Sequence, residues 1–72
     1  MSEIVAIGET ALVQGYALAG VRVIACSDAR EALAAWKALP ADTGLLLLSA
    51  MARAALGAEL AGRSVPWAVL PG

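Results

Sequence analysis

The chain has 72 residues, of which 61% are hydrophobic, so there is room for one compact domain with an apolar core and none for a second domain. Five basic and six acidic residues without any His leave a net charge of -1, which excludes the clustered basic surface that nucleic-acid binding requires. The longest uncharged stretches, residues 10–21 and 43–52, are shorter than the roughly 20 residues that cross a bilayer. We therefore expect no nucleic-acid partner and no direct membrane insertion.

Two local features indicate in which cellular compartment the protein resides. Residues 1–3 lead directly into an apolar run without a basic leader or a small-residue cleavage site, so we expect a cytoplasmic protein without a secretory signal. Cys26 is the only cysteine, which rules out an internal disulfide, and a lone thiol in a chain without His has no local base to activate it. We interpret Cys26 as a small buried hydrophobic residue.

The first predicted elements are a strand over residues 4–7 and a helix after it. The strand is an unbroken apolar run that Gly8 ends, which favours a strand covered on both faces. Thr10 is a candidate N-cap of the helix and Gly20 its candidate stop. Gly15 lies inside the helix, where it costs about 1 kcal/mol relative to Ala, so we expect it to let the helix backbone approach the sheet. The apolar surface of this helix is expected from Leu12, Val13, Tyr16 and Leu18.

The second strand is predicted at residues 21–25, and Arg22 interrupts its apolar pattern, which favours an edge position. The helix after it has the clearest N-terminus, because Ser27 precedes Asp28 and Glu31 follows three residues later, in a capping-box pattern. Pro40 ends this helix. Its core stripe is predicted to be Ala32, Leu33, Trp36 and Leu39, with Arg30, Ala34 and Lys37 on the other side.

The second half of the chain again alternates predicted strands and helices. Residues 45–48 are wholly apolar and predict another central strand. Ser49 is a candidate N-cap for a third helix, which Gly57 weakens. Residues 65–70 predict a fourth strand, and Pro66 puts it at an edge because proline cannot donate to a sheet ladder.

Alternating strands and helices with short connections predict parallel strand pairing with right-handed crossovers. The two wholly apolar runs belong in the middle of the sheet and the two interrupted runs at its edges. We therefore predict a single α/β domain over residues 1–72, with the layout βαβαβαβ, strand order 2-1-3-4 and helices on both faces. This is a flavodoxin-like or Rossmann-like four-stranded parallel sheet.

A ligand of such a sheet binds beyond the carboxyl ends of strands one and three, where this chain has Gly8, Glu9, Ser49 and Ala50. The turn after strand one lacks the later glycines of a phosphate-binding loop. Glu9 alone matches the acidic residues of a phosphate-accepting receiver domain. Without His, Ser49 has no triad partner, and one Cys with scattered carboxylates cannot build a metal site. We expect no catalytic residue, no cofactor and no metal.

Trp67 is a candidate interface residue. It is a large aromatic side chain next to Pro66 on a predicted edge strand. Two interpretations stay open, since Trp67 either packs under the third helix or anchors a protein interface.

Residues 4–21 contain a pattern formed by Gly8, Thr10, Gly15, Leu18, Ala19 and Gly20. In this pattern they resemble the opening of the F subunit of the A/V-type rotary ATP synthases. That opening is an apolar strand, Ile-Gly, an acidic residue, a Thr and then Gly-Phe-Arg-Leu-Ala-Gly-Ile. Tyr16 and Val21 are close replacements, whereas Ala17 stands where the family often has Arg. The later elements agree with the family more generally, and family members carry a further C-terminal segment after the fourth strand.

The resemblance implies a non-catalytic rotor protein of the central stalk, which couples ATP turnover to ion translocation through contacts with the long helical D subunit. The C subunit and the catalytic head are further candidate partners, and the complex would hold the protein at the membrane from the cytoplasm. Two alternatives stay open. One is a stand-alone flavodoxin-like module that binds a small ligand at the strand ends, and the other is a degenerate receiver domain that acts by dimerisation.

Overall fold

The structure, a computed structural model, describes residues 3–62 and 64–71. Its strands are Glu3–Gly8 (β1), Arg22–Ala25 (β2), Thr43–Leu48 (β3) and Trp67–Val69 (β4). Its α-helices are Thr10–Val13 (α1), Ala29–Lys37 (α2) and Ala50–Leu56 (α3). Two 3-10 helices continue α1 and α3, at Gln14–Ala19 and at Gly57–Gly62.

The four strands form one parallel sheet in the order β2-β1-β3-β4. This confirms the predicted fold class and strand order. The wholly apolar runs at residues 4–7 and 45–48 lie in the two central strands, because both faces of a central parallel strand are largely shielded from water. The runs that Arg22 and Pro66 interrupt supply the two edges, where a charge or a missing N–H costs least.

The main core lies on one face of the sheet, where α2 and α3 pack against each other and against the central strands. The predicted stripe of α2 is confirmed: three of its members are buried and Leu33 is half-buried against the core. The buried members of this core from the sheet are Val5, Ile7, Leu46 and Leu48, and those from the helices and their extensions are Ala32, Ala35, Trp36, Leu39, Ala52, Leu56 and Leu60.

The N-terminus of α2 is capped as predicted, with one difference in the partner of Glu31. The Asp28 carboxylate accepts a hydrogen bond from the Glu31 N–H at 2.9 Å. The Glu31 carboxylate in turn accepts from the N–H and the hydroxyl of Ser27, at 2.6 and 2.7 Å. It therefore reaches one residue further back than in the usual capping box, where it would bond the N-cap N–H itself.

The segment between β1 and β2 departs from its prediction. The single helix expected there is wrong, since α1 has only four residues and a 3-10 helix follows it. Thr10 is the first helical residue and not the N-cap; that position belongs to Glu9, whose side chain makes no capping bond. Gly20 does end the segment, in the left-handed conformation with φ of 83°, which glycine adopts without a Cβ penalty.

Two further expectations for this segment are wrong. Nothing lies within 4 Å of the position that a Cβ at Gly15 would occupy, so this glycine does not mediate a close approach to the sheet. Leu18 is 94% exposed and contributes nothing to the core. The cause is the 3-10 conformation, which places residues three apart on one line. Buried Val13 and half-buried Tyr16 share the inward line, and Leu18 falls outside it.

Candidate functional site

The carboxyl ends of β1 and β3 meet in a closed polar junction. Ser49 is fully buried. Its hydroxyl donates to the Glu9 carboxylate at 2.7 Å and accepts from the Ala52 N–H at 3.2 Å. Ser49 thus caps α3 as predicted, and its one proton is held by Glu9. A hydroxyl that is both buried and bonded in this way cannot serve as a nucleophile, because no substrate atom can reach it.

Gly8 allows this junction to close. A Cβ at Gly8 would lie 2.7 Å from the Ser49 Cβ, 2.9 Å from the Ser49 Oγ and 3.1 Å from the Val13 Cγ1. Two of these distances are below 3.0 Å, which real Cβ atoms essentially never show, so glycine is the residue that fits between Ser49 and α1 here. At the carboxyl ends of β1 and β3, Gly8, Ser49 and Val13 therefore leave no room between them for a ligand atom.

Cys26 follows β2 at the same end of the sheet and is buried, as predicted. Its N–H donates to the Gly8 carbonyl at 2.8 Å. Burial is the main cause that raises the pKa of the Cys26 thiol, and the negative charges of Glu9, Glu31 and Asp28 raise it further. The thiol therefore stays protonated at neutral pH, which makes it a poor nucleophile and a poor metal ligand.

Other features of a binding site are sparse in the described residues. Within 3–62 and 64–71, no group of three or more His, Cys, Asp or Glu side chains is placed to hold a metal ion. A shallow pocket of about 250 Å³ lies at the amino ends of β3 and β4, and no ionisable side chain lines it. The helices in this part of the chain are all too short or too polar to cross a membrane.

The second face of the sheet is covered over only half of its width. The β1-to-β2 connection runs in the opposite direction across the sheet from the two later connections, so right-handed crossovers put α1 on the face opposite α2 and α3. On that face, α1 contacts β1 and β2, and the 3-10 helix after it contacts β2. Within the described residues, the β3 and β4 side of the face has no crossover helix of its own.

The uncovered part of this face is apolar, and we call it the open face; it consists of Ile4, Leu45, Leu47 and Ala68. Strand register pairs Ile4 with Leu45, and Leu47 with Ala68, so the four side chains lie side by side. Ile4 is 42% exposed, Ala68 is exposed, and the two leucines are half-buried. The prediction that the strand at residues 4–7 is covered on both faces is therefore wrong at Ile4. The predicted strand order has one crossover in one direction and two in the other, so the sequence alone could have predicted that part of one face is uncovered.

Trp67 and Val69 lie on the other face of β4, in register with Leu46 and Leu48. They are 40% and 45% exposed. The guanidinium carbon of Arg53, from α3, lies 5.2 Å from the centre of the Trp67 ring, in the range of a cation–π contact. Trp67 thus packs in part against α3, and its interface role stays a prediction. Sequence reasoning did not single out Arg53, since only the fold brings it to Trp67.

The residues that carry the family resemblance do not form one site. Gly8 is buried in the junction with Ser49, and Tyr16 is half-buried beside the sheet. The others are exposed on the surface of α1, the 3-10 helix and the turn that follows it: Thr10, Gly15, Leu18, Ala19 and Gly20.

The chain matches no protein-family model, no curated protein and no solved structure.

Proposed function

We propose that this domain is a non-catalytic component that works by binding another protein, and that its open face receives the apolar side of one partner helix. The resemblance over residues 4–21 suggests which assembly this is: the central stalk of an A/V-type rotary ATPase, with the helical D subunit as the partner. The C subunit and the catalytic head are its neighbours there. Other chains handle ATP, and this one, in the cytoplasm, couples that turnover to ion translocation by mechanical contact.

The open face is the observation that carries this proposal. Strands of a parallel sheet are ordinarily covered by helices on both sides, and α2 and α3 do this on the opposite face. The open face spans β1, β3 and β4, which at about 4.8 Å per strand spacing is close to 10 Å across. One α-helix with its side chains is about 10–12 Å wide. A single helix therefore fits the gap, and because the open face carries no charged side chain, the side of the helix that meets it should be apolar.

The closed junction at the strand ends supports a binding role over a catalytic one. Ser49 and Gly8 are both buried, and the Ser49 hydroxyl is bonded to Glu9. A small ligand could not enter between Gly8 and Ser49 without displacing these atoms. This disfavours the alternative of a module that binds a small ligand there.

The surface position of Leu18 adds a second line of support. This leucine belongs to the segment that carries the family resemblance, and it is 94% exposed. Single exposed leucines are common on protein surfaces, so the observation is secondary to the open face. It makes the 3-10 helix after α1 a candidate for a second partner contact.

The proposal is tested by capturing the purified D subunit of an A/V-type ATPase with the tagged chain. Ile4→Asp should weaken binding at least tenfold. Covering the 42% of Ile4 that is exposed contributes roughly 0.6–1.3 kcal/mol, and placing a carboxylate against an apolar helix costs more than that, while each 1.4 kcal/mol is tenfold. Ile4→Val should bind nearly as well as the wild type. Ala34→Asp is the matched control, since it adds the same charge on the exposed outer side of α2.

Two results would count against the proposal. If the wild-type chain captures neither the D subunit nor any other stalk or head protein, while a full-length F subunit does, the rotary ATPase assignment is wrong. If Ala34→Asp weakens capture as much as Ile4→Asp does, the open face is not the binding surface. A thermal shift of the wild-type chain with nucleotides or flavins would instead favour the small-ligand alternative.

A further inference from the structure

The outer edge of β4 presents backbone hydrogen-bonding groups that point away from the sheet. The Pro66 carbonyl accepts from the Leu46 N–H at 2.9 Å, and the Leu70 N–H donates to the Leu48 carbonyl at 2.7 Å. Backbone groups of successive strand residues point to alternate sides. Even-numbered residues of this strand therefore face β3, whereas the N–H and C=O groups of Trp67 and Val69 face outward.

Within the described part of the chain, the edge of β4 is short, at three residues, but no charged side chain, bulge or covering segment blocks it. Natural edges are kept short or are blocked by charged side chains, prolines, bulges or a covering segment. The β2 edge carries such a charge, since Arg22 forms an ion pair with Glu3 at 3.0 Å. No charged residue occurs between 64 and 71, and every residue of β4 is exposed. Pro66 precedes β4 and directs its carbonyl inward, so it does not block the outer edge.

We propose that a second copy of this chain pairs with β4 through its own β4, antiparallel, so that two four-stranded sheets join across a two-fold axis. The strand is self-complementary in one register, with Trp67 of each copy opposite Val69 of the other and Ala68 on the axis. Trp67 and Val69 then exchange N–H and C=O bonds in two equivalent pairs. This edge adjoins the open face and shares Ala68 with it, but the pairing uses the backbone of β4, and the inference does not depend on the proposed function.

Side-chain chemistry favours the same register. Trp67 and Val69 lie on one face of the sheet, so each pair sets an aromatic side chain beside a β-branched one, which is among the favourable cross-strand combinations. Both side chains are more than one-third exposed in the single chain and would be covered together. On the axis, Ala68 meets Ala68 of the second copy, and a small side chain suits the close spacing of a pair that shares no hydrogen bonds.

Strand pairing over three residues buries less than a standard interface of about 1,600 Å². We therefore expect a weak dimer, with a dissociation constant between about 10 µM and 1 mM. Sedimentation equilibrium over this range should show a transition from one to two chains per particle. A monomer throughout that range would overturn the proposal.

Val69→Pro tests the hydrogen bonds directly. It removes two of the four expected intermolecular bonds, while the bonds of Pro66 and Leu70 to β3 remain. We expect at least tenfold weaker dimerisation. Val69→Thr, which keeps the N–H and the β-branch, should stay within about threefold of the wild type. Equal dimerisation of the two variants would contradict the model of edge pairing.

A cross-linking measurement keeps the test valid even if Val69→Pro folds poorly. In the proposed register the two Ala68 Cα atoms lie about 4.5 Å apart, within the range that a disulfide spans. In a Cys26→Ala background, Ala68→Cys should form a disulfide-linked dimer at least tenfold faster than Ala54→Cys, which places the thiol on exposed α3 surface. Equal rates would rule out Ala68 on the axis. Ile4→Asp, run in the same sedimentation assay, should dimerise like the wild type, which separates this surface from the open face.

Discussion

Gly8→Ala adds one methyl group at a position that has no room for it. Its Cβ would lie 2.7 Å from the Ser49 Cβ and 3.1 Å from the Val13 Cγ1. Ser49 cannot move aside freely, because it is bonded to Glu9 and caps α3 through Ala52. The Ser49 Cβ is also fixed by its backbone, so a side-chain rotation does not relieve the closest contact.

The loss of stability expected for Gly8→Ala has two parts. Inserting a methyl group into a well-packed core costs about 1–3 kcal/mol. If the strain also pulls the Ser49 hydroxyl away from α3, the loss of the cap adds about 1 kcal/mol. We therefore expect Gly8→Ala to lower the free energy of unfolding by about 1–3 kcal/mol if the cap is kept and by about 2–4 kcal/mol if it is lost. Gly15→Ala is the matched control: its site is open and its φ is not positive, so it should be neutral or stabilising by up to about 1 kcal/mol.

Urea unfolding, monitored by circular dichroism, measures the free energy of unfolding of both variants, and double mutants locate the strain. Ser49→Gly removes the closest atom, so Gly8→Ala should cost less than about 1 kcal/mol in that background. Ser49→Ala keeps the Cβ, so Gly8→Ala should cost nearly as much there as in the wild type. If Gly8→Ala is as stable as Gly15→Ala, or if the two Ser49 backgrounds give the same cost, the close packing described here is wrong.

Three further predictions concern single side chains. Asp28→Ala should lower the free energy of unfolding by about 1 kcal/mol, since it removes the N-cap bond of α2. The hydrogen bonds from Ser27 lower the pKa of the Glu31 carboxyl below its ordinary value of 4.5. The stability that the ionised carboxylate contributes is therefore present above that pH and is lost as the pH falls through the folded-state pKa. Glu31→Gln should accordingly flatten the acid side of a plot of unfolding free energy against pH. Cys26, buried and with a raised pKa, should react with a thiol reagent at pH 8 at least tenfold more slowly in the native protein than in urea; equal rates would contradict its burial.

The strand order could be predicted from the sequence because the side chains of each strand indicate whether it lies at the centre or at the edge of the sheet. Residues 4–7 and 45–48 carry no polar side chain, whereas Arg22 and Pro66 mark the edges. The caps at Asp28 and Ser49 were likewise predictable, since a cap depends on a few neighbouring residues only.

The candidate surfaces were harder to predict because they depend on distant parts of the chain. The bond between Ser49 and Glu9 joins residues 40 apart, and no local pattern specifies it. The open face arises from the handedness of three crossovers and not from any residue in it. The change of α1 into a 3-10 helix also escaped prediction, because the spacing of Val13 and Tyr16 suits either kind of helix.

The central position of β1 has a consequence for synthesis. This strand leaves the ribosome before both of its neighbours, and β3 pairs with it across 40 positions, from Glu3 to Thr43. At about 5–20 residues per second, the ribosome needs about 2–8 s to make that stretch. During this time an almost wholly apolar strand has one or both edges unpaired, which is the state most prone to aggregation. The rate of translation between β2 and β3 should therefore affect the yield of folded protein more than the rate anywhere later in the chain.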